Sequence, residues 1–196
     1  MTVRAVWVGG QRLAVSGVGY TPAGQIGQTV AMTAALQTDL RAFLRSAALC
    51  NNARLLPPNH TTAQWTVLGD PTEAALRVVA RKGGVDAPSE EQTHPRLREL
   101  PFDSRRKCMS TIHQVGQQRV AFVKGAPREL LALCTHLQLA GQPVALTAGV
   151  RDTILQTNDA YASEGLRVLA VAMRPLPDAL RDFTMASVET ELTFLG

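Results

Sequence analysis

The chain has 196 residues, 45% of them hydrophobic and 18% charged, with a net charge of +4. That balance suits a globular chain with one sizeable core, and no run of about 18 apolar residues exists to cross a bilayer. The opening MTVRAVWVGG has no apolar core of signal-peptide length, which makes a cytosolic chain the default.

From the amino terminus, residues 3–8 read as a strand, Gly9-Gly10 as a turn and 12–16 as the returning strand. The GVGYTPAGQ stretch that follows is loop, punctuated by glycine and proline. Leu36, Leu40, Phe43, Leu44, Ala47 and Ala48 recur at helical spacing and predict an amphipathic helix over 33–49. Beyond Pro57-Pro58, residues 64–68 form a short strand and Gly69-Asp70-Pro71 a turn. Thr72 then caps a helix over 73–82, which Gly83-Gly84 ends. In the second half, 97–102 is strand-like, and 109–115 with 119–124 make a hairpin around Gly116. Pro127 suits the first turn of a helix, where its missing N–H costs nothing. A helix over 148–163 ends near Gly165, and 166–172 is a buried strand. Hairpins and long strand pairs with helices between them predict an α+β fold, a largely antiparallel sheet flanked by helices.

Several familiar sites are missing. There is no GxxxxGK[ST] loop and no GxSxG elbow, and GVGYTP lacks the third glycine of a dinucleotide fingerprint. Cys50, Cys108 and Cys134 form no CxxC pair and read as free thiols. His60, His94, His113 and His136 are scattered without metal-ligand spacing and read as surface or loop histidines, so no metal site is expected.

Three stretches stand out. LGDPTEAAL (68–76) sets Glu73 in the first turn of a helix, which a turn and a cap explain by themselves. ELPFDSRRKCM (99–109) places Phe102 close to Arg105, Arg106 and Lys107. Such a phenylalanine is ordinarily core, but beside cations it can stack on a base whose phosphates they meet. FVKGAPREL (122–130) follows Lys124 with Gly125-Ala126, either a plain strand-to-helix turn or a slot that a flat ligand can approach closely. Of the 20 basic residues only Lys82, Lys107 and Lys124 are lysines, and two of them fall in these stretches. Together, a ring, cations, a slot of small residues and a carboxylate for an exocyclic amine make up an adenine-nucleotide site.

GDPTE (69–73), PFDSRRKCM (101–109) and FVKGAP (122–127), in this order, resemble the nucleotide-binding (N) domain of P-type cation-transporting ATPases, of the calcium-pump-like P2 branch. ALCNNARL (48–55) and GLRVLAVAMR (165–174) are similar to two further family segments, so the resemblance spans 1–196 as a single N domain excised from a larger membrane pump. It implies roles by position. Phe102 corresponds to the aromatic that stacks on adenine, and Glu73 to the carboxylate near the adenine amino group. Lys107 and Lys124 correspond to the lysines lining the pocket, with Gly125 and Ala126 as its floor. Arg167 corresponds to the arginine that meets the phosphates, while Met109 and Leu169 add apolar wall. Arg106 is a phosphate contact by charge alone. Many members carry an acid after GAP, where Arg128 stands here; Glu129 is the candidate to replace it.

The resemblance implies a cytoplasmic domain of an integral membrane protein. It binds ATP and ADP and works with the phosphorylation and actuator domains of the same polypeptide. Magnesium is expected mainly at the phosphorylation domain. The chain holds no phosphorylated aspartate, so it is expected not to hydrolyse ATP alone and to be a monomer in isolation. Calcium is the first expectation for the transported ion, with magnesium, manganese and sodium as alternatives. An interaction module with a decayed site is a second reading, and scattered arginines with 5% aromatics speak against nucleic acid.

Overall fold

A glycine pair turns the chain back on itself near its start. β1 (Ala5–Val8) and β2 (Gln11–Ala14) pair antiparallel across Gly9 and Gly10, whose φ angles of 59° and 77° other residues rarely adopt. The computed structural model describes residues 1–60 and 62–196. α1 (Ala34–Leu49) opens on Thr33, whose Oγ1 accepts the Leu36 N–H at 3.2 Å, and it buries Leu36, Leu40, Phe43, Leu44 and Ala47. A small hairpin follows, formed by β3 (Arg54–Leu56) and β4 (Thr66–Leu68).

α2 (Pro71–Lys82) starts two residues earlier than the sequence predicts, and its cap is Asp70 rather than Thr72. Asp70 Oδ1 accepts from the N–H groups of Thr72 at 2.7 Å and Glu73 at 3.0 Å, and Pro71 fills the first helical position, where no N–H is needed. α3 (Ala87–Thr93) is short and capped by Asp86; its APSEEQT sequence carries too little apolar periodicity to announce a helix.

The remaining elements are β5 (Arg96–Asp103), β6 (Cys108–Val115), β7 (Gln118–Gly125), α4 (Pro127–Ala132), β8 (Cys134–Leu139), β9 (Gln142–Ala145), α5 (Ala148–Ser163), β10 (Ala170–Leu176), α6 (Met185–Val188) and β11 (Leu192–Phe194). They build a seven-stranded sheet in the order β5-β6-β7-β10-β11-β8-β9, antiparallel except where β11 runs beside β8. The expected strand over 166–172 begins only at Ala170. Its partner β7 ends at Gly125, opposite Ala170, so residues 166–169 have no strand to pair with.

Helices cover both faces of the sheet, and alternation along β10 shows how. Val171 packs with Leu36, Phe43 and Leu76 of α1 and α2, whereas Ala170 and Ala172 pack with Leu130 and Ile154 of α4 and α5. This is the predicted α+β fold, a largely antiparallel sheet flanked by helices. No helix among the described residues is long and apolar enough to cross a membrane.

His113 departs from the surface or loop position expected of it, being buried within β6, whereas His94 lies in the turn after α3 as expected but is buried as well. His113 Nδ1 lies 2.8 Å from the His94 carbonyl, so Nδ1 carries the proton, and Nε2 is enclosed without a partner. Burial therefore holds the His113 imidazole below its ordinary value, with the neighbouring Arg96 and His94 charges adding to the effect; the carbonyl bond and Glu91 oppose it. The folded chain thus binds fewer protons here than the unfolded one, and stability falls as pH drops below about 6.5. Urea titrations at pH 7.5 and 5.5 should show this loss. His113→Gln, which keeps a donor for the His94 carbonyl and cannot titrate, should flatten it. Asp70 belongs to a more acid window: bonds from the Glu73 and Thr72 N–H groups depress its carboxyl, so its contribution is lost only as pH falls through that lowered value.

Candidate functional site

Register brings the singled-out residues to one end of four adjacent strands. Asp103 pairs with Cys108, Cys108 with Gly125, and Gly125 with Ala170. Phe102 therefore stands at the end of β5, Lys107 and Met109 at the start of β6, Lys124 and Gly125 at the end of β7, and Leu169 just before β10. Lys124 pairs with Met109 and with Val171, which puts these three side chains on the α1–α2 face of the sheet.

On that face Lys124 is buried, 8% exposed. Its Nζ donates to Glu73 Oε1 at 2.5 Å and to the Cys50 carbonyl at 2.6 Å. The other Glu73 oxygen accepts the Asn52 N–H at 2.8 Å, and Asn51 Nδ2 ties the Glu73 carbonyl at 2.9 Å. The first turn of α2 places the carboxylate, and the segment after α1 supplies the backbone partners. An ammonium has three donors, so Lys124 retains one beyond these two bonds. Met109 lies beneath, packed with Leu49, Cys50, Val120 and Phe122.

Phe102 is 63% exposed, unusual for so large an apolar side chain, and it points out beside a tightly turned loop. In that loop Asp103 Oδ1 accepts from Arg105 N at 2.8 Å, and the Asp103 carbonyl accepts from Lys107 N at 2.7 Å. Lys107 has a φ of 52°, and its Nζ bonds Glu129 Oε1 at 2.5 Å. The Lys107 carbonyl accepts the Ala126 N–H at 3.0 Å, which stitches the loop to the strand end that carries Lys124.

A family model described as the P-type ATPase cytoplasmic domain N matches residues 39–196. The chain belongs to this family. Curated relatives agree. Cation-transporting ATPase pma1 of Synechocystis sp. is 36% identical over 203 residues, covering 100% of this chain and 22% of that protein. Calcium-transporting ATPase 1 of Lactococcus lactis is 34% identical over 165 residues, 84% of this chain and 18% of the relative. Probable cation-transporting ATPase F of Mycobacterium tuberculosis is 34% identical over 200 residues, 100% of this chain and 21% of the relative. The chain thus spans about a fifth of the length of the curated relatives it matches.

In this N-domain chain, Arg167 is exposed and lies near the Asp70 cap, whose carboxyl it helps to depress. With Leu169 and Thr72 it lines an apolar cleft of about 370 Å³ between α2, α5 and residues 1–7. Glu73, Phe102, Lys107 and Lys124 are not on that cleft's lining; they form a separate, more polar constellation at the strand ends. Arg128, the departure after GAP, faces α5 and pairs with Asp159 at 2.6 Å, while Glu129 takes Lys107.

Two expectations change. Arg106 does not reach outward as a phosphate contact: its side chain is 17% exposed and bonded to the buried Glu189. The small residue at Gly125 also has a nearer cause than a ligand. A Cβ there would lie 2.6 Å from both Cys108 Cβ and the Lys107 carbonyl oxygen. Sequence reasoning missed the Cys50 carbonyl, the Asn52 N–H and Glu189. The first two are backbone groups carrying no residue signature, although ALCNNARL marked their neighbourhood. Among the described residues, no group of three His, Cys, Asp or Glu side chains is placed to hold a metal ion.

Proposed function

We propose that this domain binds ATP by its adenine end and presents the γ-phosphate to the phosphorylation-domain aspartate of a P-type cation-transporting ATPase, with calcium as the cation. The carrying observation is the pair of buried Lys124 with half-buried Glu73, beside a solvent-standing Phe102 at one end of the sheet. A buried, paired lysine with a donor left over meets a ring edge; an exposed phenylalanine lacks a stacking partner among the described residues; Lys107 offers charge at the rim. Family membership and the names of the relatives support the cation pump, and calcium rests on relatives named calcium-transporting ATPases.

In this reading Phe102 stacks on the adenine and Glu73 accepts from its exocyclic amine. Lys124, Gly125 and Ala126 close one side of the ring, Met109 adds apolar wall and Lys107 meets the phosphates, while Leu169 and Arg167 approach the nucleotide from the neighbouring cleft, as wall and phosphate contact respectively. Catalysis is positional: domain closure turns a two-body encounter into a local one. Magnesium, held mainly by the phosphorylation domain, supplies charge neutralisation at the transferring phosphate, so this chain by itself leaves ATP intact. One stacked ring and a few rim ion pairs give a Kd of roughly 0.1–1 mM or weaker.

An ATP titration followed by two-dimensional NMR tests this. Shifts should cluster on Glu73, Phe102, Lys107, Lys124 and Gly125. Phe102→Ala should weaken binding by about 1–3 kcal/mol, the value of one stacked base. The same variant should unfold within about 0.5 kcal/mol of the parent, since an exposed ring holds nothing together. No shifts at several millimolar ATP would replace the nucleotide reading with an interaction module.

A further inference from the structure

The loop between β5 and β6 holds two adjacent cations that face opposite ways. Lys107 is exposed at the rim, whereas Arg106 turns inward. Arg106 Nη1 bonds Glu189 Oε1 and lies 3.3 Å from Cys108 Sγ. Its Nη2 bonds the carbonyls of Pro101 and, at 3.2 Å, Leu100. Nε is enclosed and has no partner among the described residues.

Glu189, just after α6, is 7% exposed. Ser110 Oγ donates to its Oε1, and the Cys108 thiol approaches its Oε2 at 3.6 Å. Burial and the Glu189 charge push the Cys108 thiol up to about 11, so it stays protonated as a donor. Glu189 thus gathers three donors, and through Arg106 it reaches the two carbonyls immediately preceding Phe102.

A buried ion pair is weak grounds for stability, because apolar residues of similar volume often serve as well. What this one adds is geometry. Without Arg106, the loop is closed by the Asp103 bonds and by the Ala126 N–H bond to the Lys107 carbonyl, and a positive φ at Lys107 is the kind of strain that persists only where surroundings impose it. We infer that Arg106 and Glu189 are positioning residues for the nucleotide: the pair fixes the 100–107 backbone so that Phe102 and Lys107 stand in place before the ligand arrives. The inference rests on the function proposed above. Its consequence is an ordering cost paid on folding rather than on binding.

The test compares adenosine with ATP on the 196-residue chain. Arg106→Met/Glu189→Gln removes both charges, leaves neither unpaired and keeps an acceptor for Ser110. The double variant should stay folded and bind both ligands about 3- to 10-fold more weakly, the cost of ordering a loop on binding. Phe102 and Lys107 amide signals should move or broaden while those of Glu73 and Lys124 stay in place. Unchanged affinity overturns the inference. So does a loss confined to ATP, which would make Arg106 a phosphate ligand after all. Should the double variant not fold, Arg106→Lys, which can meet Glu189 but cannot also span the two carbonyls, is measured against the same outcomes. Failure of the parent chain to bind either ligand would sink the nucleotide reading itself, and is read separately from a variant that binds as the parent does.

Discussion

Lys124→Met should cost on the order of 3 kcal/mol of stability, because it leaves the largely enclosed Glu73 carboxylate with one backbone N–H as its remaining partner. Side-chain exposures of 9% for Lys124 and 14% for Glu73 put the pair well inside the surface, where water screens it little. The Cys50 carbonyl loses its donor in the same step, which adds to the loss. Adding Glu73→Gln to Lys124→Met removes the stranded charge while keeping an acceptor for Asn52. The double variant should regain most of the stability, and guanidinium titrations of the four chains close a double-mutant cycle. Nucleotide affinity should remain lost in both lysine variants. Stability recovered without binding recovered separates what the pair does for the fold from what it does for a ligand. A Lys124→Met cost below about 0.5 kcal/mol, the range of an ordinary surface change, would mean the pair is open to water and the enclosed site misread.

Much of this architecture is legible in the sequence where local rules suffice. Leu36, Leu40, Phe43 and Leu44 fix α1 by spacing alone, and Gly116 between two apolar runs announces the β6–β7 hairpin. The short strands β8, β9 and β11 are harder, because three to six residues carry little pattern, and β11 also pairs with β8 and β10, which lie well before it along the chain. At the site, side-chain chemistry points to Glu73, Phe102, Lys107 and Lys124 before any coordinates. Direction does not follow from charge. Arg106 and Lys107 are neighbours with the same sign, yet one is drawn inward by Glu189, a residue 83 positions away, and the other turns outward on a positive φ. Nor can composition reveal a backbone acceptor such as the Cys50 carbonyl, whose role depends on where α1 ends.

Gly125→Ala should destabilise the chain by about 2 kcal/mol, in the usual range for an overpacked core. Its backbone has no positive φ, so alanine fits the local conformation and the penalty is purely steric. The added methyl would meet Cys108 Cβ and the Lys107 carbonyl oxygen at 2.6 Å, and Cys108 Cα at 2.9 Å. None of these is the far end of a flexible side chain. Relief requires β6 and β7 to part, which strains the Ala126 N–H bond to the Lys107 carbonyl and shifts the loop carrying Lys107. Thermal melts should therefore show a lowered midpoint, and Cys108→Gly, which removes one of the blocking atoms, should restore part of it in the double variant. Nucleotide binding should weaken in step, because the strand that holds Lys124 and the loop that holds Lys107 separate together. The opposite pattern is equally informative: a Gly125→Ala chain with full stability and no binding would show that the space above Gly125 is kept for a ligand. The contacts at 2.6 Å favour the first outcome, in which the glycine serves strand packing and its benefit to a ligand is indirect.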